Sequence, residues 1–331
     1  MLARITIGTI AVASLLLPTT ATAALDASRD AATGAIRITA TAGSAERVVL
    51  DRSDDGQLRI ADAASAATSA DATCTIDAAG AATCPAPAGT TVTLTLGDGA
   101  DTLDARLATA VALSVDSGAG ADRLRLGAAG MAVATSPDAL DTVDLTHADG
   151  EVRVRYEAAL RALVARCGEC SLPWAVTLPA SPAAIALGAA DDDVDLTTWP
   201  GRGRTSWALG AGRDRFFGAR VRRSVVDGGD DGDELLSRAP ADTLLGGRGT
   251  DKIVDFGGSG DVLRGGADID AMASLDGGAD TIDGGSGRDM CPSLRRERST
   301  CDTSGRVRSF EMSIYLPVPT EWSVRQVIGI R

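Results

Sequence analysis

The sequence predicts an all-β chain: a right-handed parallel β-roll or β-helix solenoid with an N-terminal β domain and a C-terminal cap. Three observations carry this. From Gly228 the chain repeats about every nine residues, most clearly as GGRGTDKIV (246–254), GGADIDAMA (265–273) and GGSGRDMCP (284–292). Each of these keeps an aspartate at its sixth position and a large apolar residue or cysteine at its eighth. Aromatics make up 3% of residues. A conventional core for a chain of this length would use more, whereas thin stacked coils fill with Leu, Val, Ile and Ala.

Residues 1–23, MLARITIGTIAVASLLLPTTATA, read as a secretory signal. Arg4 makes a short positive start, 5–17 is apolar but too short to span a bilayer, and Ala21-Thr22-Ala23 is a small-residue cleavage site. The expectation is a secreted, extracellular protein without a transmembrane anchor. Residues 24–95 predict short strands at 35–40, 47–51, 58–62 and 91–96, forming an N-terminal β domain or cap, with an Ala-rich loop over 63–72. Over 96–150 the repeat persists in looser form. LGDGADTLD (96–104), SGAGADRLR (117–125) and SPDALDTVD (136–144) set Asp101, Asp122 and Asp141 about one coil apart. This block predicts degenerate solenoid with carboxylates, and so any cation sites, on one edge at most. Residues 151–186 break the rhythm. YEAALRALVAR (156–166) places Leu160, Leu163 and Val164 on one helical face, so an insertion with a short helix is expected, with two strands of a degenerate coil as the alternative.

Residues 187–292 form the main repeat block. Aligned on the sixth position it reads Asp214, Ser224, Asp233, Asp242, Asp251, Asp261, Asp270, Asp280 and Asp289. The eighth position holds Phe216, Val226, Leu235, Leu244, Ile253, Leu263, Met272, Ile282 and Cys291. The frame extends back to Thr205 with Trp207 and to Asp192 with Val194. After Pro292 the pattern stops. Residues 293–331, with Arg295, Arg296, Arg298 and apolar strands at 312–316 and 324–330, are expected to cap the solenoid and block edge-to-edge association.

The spacing carries chemistry. Glycines at positions one, two and four allow φ > 0 and a sharp turn. Two nonapeptides make one coil, and coils stack at the strand spacing of about 4.8 Å. Aspartates 18–19 residues apart then stand one above the other. An ion midway between them would have oxygens at roughly 2.4 Å, inside the calcium range of about 2.3–2.6 Å. One predicted column is Asp214, Asp233, Asp251, Asp270 and Asp289; the other is Thr205, Ser224, Asp242, Asp261 and Asp280. Without a cation, carboxylates about 5 Å apart repel by about 0.8 kcal/mol per pair even in water.

The formal charge of −13 argues against nucleic acid as a partner and suits cations. Six cysteines in an exported chain suggest disulfides, and sequence order pairs them locally as Cys74–Cys84, Cys167–Cys170 and Cys291–Cys301. The Cys167–Cys170 pair also fits a redox or half-zinc motif by spacing, but lacks the βαβ context of the former and the further ligands of the latter.

These nonapeptides resemble those of the RTX, or hemolysin-type, calcium-binding repeat proteins, strongly over 209–292 and partially over 96–144. The resemblance implies a parallel β-roll that folds as calcium binds. It implies ligand roles for Asp214, Asp233, Asp242, Asp251, Asp261, Asp270, Asp280 and Asp289, and for turn carbonyls such as those of Gly246, Gly249, Gly265, Gly284 and Gly287. Asp268, in a fourth-position glycine site, would add a carboxylate. The chain departs from the toxins and proteases of that family. Those leave by a C-terminal secretion signal, whereas this chain reads as having an N-terminal one, and they join the repeats to an enzyme or a pore-forming domain, neither of which is visible in residues 1–186.

Catalytic motifs are sparse. His147 is the single histidine, so a two-histidine zinc motif is excluded; there is no G-x-S-x-G elbow, and no G-K-[ST] follows the glycine-rich turns. A structural or adhesive role, with a cell-surface or matrix partner, is the expectation. The alternative is a calcium-dependent β-helix enzyme acting on polysaccharide, with Arg153, Arg155, Arg161 or Arg166 as base and Trp174, Trp199 and Trp207 in its groove.

Overall fold

The structure, a computed structural model, describes residues 25–40, 45–63, 67–69, 73–107, 111–127, 141–146, 148–170, 174–178, 182–220, 222–276, 278–291, 298–301, 310–315 and 325–330. These are all-β, without helix, and wind into a parallel β-solenoid of about nine turns. Residues 1–24, His147, Arg295 and Arg296 lie outside the described set, so the signal expectation falls there.

Two walls face each other across the core. The long wall holds eleven parallel strands: Arg47–Arg52, Thr102–Arg106, Arg123–Gly127, Thr142–Asp144, Ala184–Ala186, Gly203–Ala211, Arg222–Asp230, Thr243–Arg248, Val262–Ala267, Thr281–Ser286 and Arg298–Thr300. The opposite wall is built in two parts. Ile36–Ala40, Thr91–Thr95 and Ala112–Asp116 stack in parallel near the N-terminus. Val152–Glu157, Asp193–Asp195, Arg215–Phe217, Glu234–Ser237, Lys252–Asp255 and Ala271–Ser274 stack in parallel further on. Parallel stacking on this wall thus includes Ile36–Ala40, well before the first recognisable repeat.

Inward-facing side chains explain the register. Eighth-position Phe216, Leu235, Ile253 and Met272 line one wall and Val226, Leu244, Leu263 and Ile282 the other, all 0% exposed. They belong to one apolar cluster that runs from Leu25 to Cys291. A full burial of this kind stabilises by roughly 1.5–3 kcal/mol per side chain. A slip of one residue would turn the whole row outward. Trp207 and Phe216 meet inside the coil with ring centroids 5.7 Å apart. Phe217, Leu236 and Val254 point to the other face and form a small second cluster with Phe256 and Leu275.

The segment 151–186 requires a correction. Tyr156–Arg166 is no helix. Val152–Glu157 and Ala162–Cys167 pair antiparallel, and Trp174–Thr177 adds a third strand on the outer side. The physical reason is a competing period of two. Val152, Val154, Leu163, Ala165 and Cys167 are buried on alternate positions, while Leu160, counted for the helical face, sits in the turn and is 55% exposed. Arg161 closes that turn with φ 52°. This hairpin covers the edge of its wall, which would otherwise offer unpaired backbone groups.

The N-terminal end of the long wall is covered the same way. Gln57–Asp62, Ala82–Pro85 and Thr75–Ile76 add antiparallel strands beyond Arg47–Arg52. Disulfides join Cys74 to Cys84, Cys167 to Cys170 and Cys291 to Cys301. Later in the chain, Phe310–Tyr315 and Arg325–Ile330 form a separate antiparallel pair.

Second-position glycines allow coils to approach closely. Gly247 has φ 114°, and a Cβ there would lie 2.2 Å from the Gly229 carbonyl oxygen. Gly168 has open space around its Cβ position. Gly247→Ala should therefore destabilise by at least about 1–3 kcal/mol, and Gly168→Ala by less than about 0.5 kcal/mol. Thermal unfolding of the two variants checks this; equal midpoints would contradict the turn geometry.

Candidate metal centre

Each coil reaches its wall through a sixth-position residue just ahead of the strand, and stacking aligns these residues into columns. In the first column the backbone N–H of one aspartate donates to Oδ1 of the aspartate one coil later. The distances are 2.6 Å for Asp192 to Asp214, 2.9 Å for Asp214 to Asp233, 2.8 Å for Asp233 to Asp251, 3.0 Å for Asp251 to Asp270, and 3.1 Å for Asp270 to Asp289. Val152 N–H donates to Asp192 in the same way at 2.7 Å. The structure therefore extends the predicted five-residue column by Asp192. One oxygen of each carboxylate is consumed by the fold itself.

The other oxygen is the informative one. Oδ2 of Asp214, Asp233, Asp251 and Asp270 is buried without a hydrogen-bond partner. In three of these repeats it lies against the first-position glycine. A Cβ on Gly228, Gly246 or Gly265 would sit 2.1–2.3 Å from that Oδ2 and 2.5–2.6 Å from the glycine carbonyl oxygen one coil on. Carboxylate oxygen and turn carbonyl thus converge on one small cradle, and a hard divalent cation takes that donor set. Gly246, Gly265 and Gly284 line these cradles, with Asp289 Oδ2 at 2.4 Å from the Gly284 Cβ position. Gly249 and Gly287 sit at fourth positions with φ 117° and 156°, in line with Asp231 and Asp268 at φ 77° and 79°. Asp268 is exposed on the rim beside the column.

The second column behaves differently along its length. Ser224 N–H donates to Asp242 Oδ1 at 2.6 Å, Asp242 to Asp261 at 2.6 Å, and Asp261 to Asp280 at 3.0 Å. Toward the N-terminus the carboxylates stop at Ser224 and Thr205, as the sequence spacing predicts. They then resume on the same wall. Glu46 N–H donates to Asp101 Oδ1 at 2.9 Å, Asp101 to Asp122 at 3.0 Å, and Asp122 to Asp141 at 3.3 Å. The two sequence blocks are thus one column interrupted by two hydroxyl residues and the uncharged coil of Ala184–Ala186. Glu46 was missed because 55 residues separate it from Asp101; no nonapeptide frame reaches it. Asp255 and Asp276 were missed because they stand outside the sixth position. They group with Asp261 and Asp280, one oxygen from each lying within 4.8 Å of the others.

Burial drives the electrostatics. Removal from water pushes Asp214 and Asp261 up to about 8, Asp192, Asp233 and Asp270 up to about 7, and Asp242, Asp251 and Asp255 up to about 6. Neighbouring carboxylates add to the rise, as Asp192 and Asp233 do for Asp214. Backbone N–H donation opposes it without cancelling it. Asp101 rises for the same reasons, with Glu46 beside it.

A cleft of about 1130 Å³ opens beside Asp192, Asp214 and Asp233, edged by Glu234, Arg215 and Lys252. Of the four arginines named as possible bases, three hold carboxylates. Arg153 holds Glu151 through two hydrogen bonds of 2.7 Å, Arg155 holds Asp193 and Asp195 at 2.7 and 2.9 Å, and Arg166 holds Glu157. Trp199 and Trp207 are buried in the apolar core and line no groove. No family model, curated protein or solved structure matches the chain.

The raised carboxylates fix a sign. In the metal-free fold, protons are held between about pH 4 and 8 that the unfolded chain has released, so the native state binds more protons and stability falls as pH rises. Exhaustively demetallated protein should melt highest near pH 5 and lowest near pH 8. A midpoint that is flat or rises over this range would contradict the buried, unneutralised columns.

Proposed function

We propose that the chain is a secreted calcium-binding repeat protein of the RTX type, whose folding is coupled to extracellular calcium and whose role is structural or adhesive. One observation carries the reading: four successive aspartates in the first column, Asp214, Asp233, Asp251 and Asp270, each keep a buried Oδ2 without a hydrogen-bond partner, and in the last three it lies beside a turn glycine. A buried carboxylate oxygen left so is costly. A cation between rungs removes that cost and the repulsion between rungs together. Asp214, Asp233, Asp251, Asp270 and Asp289 would hold ions with the carbonyls of the first- and fourth-position turns, and Asp242, Asp261 and Asp280 would do so on the second column. Calcium supplies the positive charge; the chain supplies the spacing, through strand stacking. A partner on a cell surface or in an extracellular matrix suits a rigid rod with an acidic flank.

Two measurements test the reading. Extracellular modules bind calcium with dissociation constants of about 10⁻⁴–10⁻³ M, so chelation at about pH 8, where the metal-free fold is weakest, should remove strand signal and enlarge the radius, and millimolar calcium should restore both. Circular dichroism and scattering curves that ignore chelation would overturn it. In calorimetric titrations Asp251→Ala, flanked by rungs on both sides, should weaken two ions. Asp289→Ala, at the end of the column, should weaken one, and Asp191→Ala, off the column, none. Equal losses from all three would overturn the assignment of the column.

A further inference from the structure

One coil breaks the hydrogen-bond pattern of its neighbours. On the wall opposite the second column, Ser237, Asp255 and Ser274 stand in register, one per coil, and all are 0% exposed. The two serines do the same job. Ser237 Oγ donates to Asp242 Oδ2 at 2.7 Å, and Ser274 Oγ donates to Asp280 Oδ2 at 2.8 Å. Each thereby supplies the sixth-position aspartate of its own coil with the donor that its second oxygen needs. The coil between them carries Asp255, and an ionised carboxylate has no proton to donate. Asp261, the sixth-position aspartate of that coil, is accordingly the member of this trio left unsatisfied. Its Oδ1 accepts the Asp242 N–H at 2.6 Å, while its Oδ2 is buried with no hydrogen-bond partner.

Around this defect the chain gathers negative charge. Asp255, Asp261, Asp276 and Asp280 each offer an oxygen, and these oxygens all lie within 4.8 Å of one another. That is the diameter of a coordination sphere with oxygens at about 2.4 Å, the calcium distance. Three of the four residues are buried; Asp276 is exposed and closes the open side. Gly278 packs beside the Oδ1 of Asp276 and the Oδ2 of Asp280, and faces the Gly258 carbonyl oxygen. A site in the first column has two rung carboxylates per ion; this one has four.

We propose that Asp255, Asp261, Asp276 and Asp280 form a single dedicated cation site, distinct in composition from the repeat sites, which fills before them and anchors the C-terminal coils. It rests on the reading of the columns as cation ligands. The extra carboxylates act through charge count, which in oxygen-ligand sites moves calcium affinity over several decades. The site is therefore expected to bind about 10- to 100-fold tighter than the repeat sites. Only a divalent or trivalent hard cation suits so many carboxylates around one point.

The test is calcium titration of the full-length chain, by calorimetry and by competition with a chromophoric chelator. The variants are Asp255→Ser, Asp276→Asn and Asp251→Asn. Asp255→Ser rebuilds in the middle coil the hydroxyl donor that both neighbours use, so it should fold, and circular dichroism at 10 mM calcium, an on-the-order-of saturating level for such sites, verifies that. Asp276→Asn changes an exposed residue and guards against misfolding of the first variant. The wild type should show one ion of a tight class followed by a weaker set. Asp255→Ser and Asp276→Asn should each weaken that one ion at least about 10-fold and leave the weaker set in place. Asp251→Asn should do the reverse. A tight ion that survives both Asp255→Ser and Asp276→Asn, with the weaker set intact, would overturn this inference alone. A wild type that binds no calcium would overturn both it and the proposed function.

Discussion

Stacking in register forces a buried carboxylate of each coil to lie over that of the next, and the protein uses this contact twice. One oxygen accepts the backbone N–H of the preceding rung, at 2.6–3.1 Å along the first column. That bond fixes the phase of successive coils at their turns, as the apolar rows fix it inside. The second oxygen of Asp214, Asp233, Asp251 and Asp270 is buried where no protein donor reaches it. A fold of this kind has a built-in conflict, since strand spacing brings like charges to about 5 Å in surroundings where repulsion exceeds its value in water several-fold. Raised pKa values of about 6 to about 8 are one way out, through protonation. A cation between rungs is the other.

The rest of the architecture follows from protecting those columns. Side chains of the core are mostly Leu, Val, Ile and Ala, because a coil of two walls leaves little room between them, with Trp199, Trp207 and Phe216 as the aromatic members. Both walls end on antiparallel strands at their N-terminal sides, with Gln57–Asp62 and Ala82–Pro85 covering one and Ala162–Cys167 and Trp174–Thr177 covering the other. Disulfides sit in or beside these coverings and at the last coil, where Cys291 is buried in the core and joined to Cys301. Each lies where a coil lacks a neighbour on one side.

What could be read in the sequence was whatever the nine-residue period writes directly. Asp214 through Asp289 stand in phase with Phe216 through Cys291, so the columns, the inward row and the parallel stacking were all visible. Asp255 and Asp276 were not, because their positions come from one-residue expansions of the repeat and their partners lie one coil away. Glu46 was hidden by the hairpin strands between it and Asp101, since contacts in a solenoid follow coil number and not chain distance. The segment 156–166 misled for a different reason: Leu160, Leu163 and Val164 fit a helical face, yet Val152, Val154, Leu163, Ala165 and Cys167 fit alternation across a longer stretch, and the apolar interior of the coil selected the latter.

The central claim is that cations occupy the spaces between rungs, and their positions can be seen directly. Crystals grown with calcium, measured at a wavelength where calcium scatters anomalously, should show peaks between successive carboxylates of Asp214, Asp233, Asp251, Asp270 and Asp289, each within about 2.3–2.6 Å of a carboxylate oxygen and a turn carbonyl. An ordered structure with the carboxylates in these positions and no anomalous peaks between them would contradict the account.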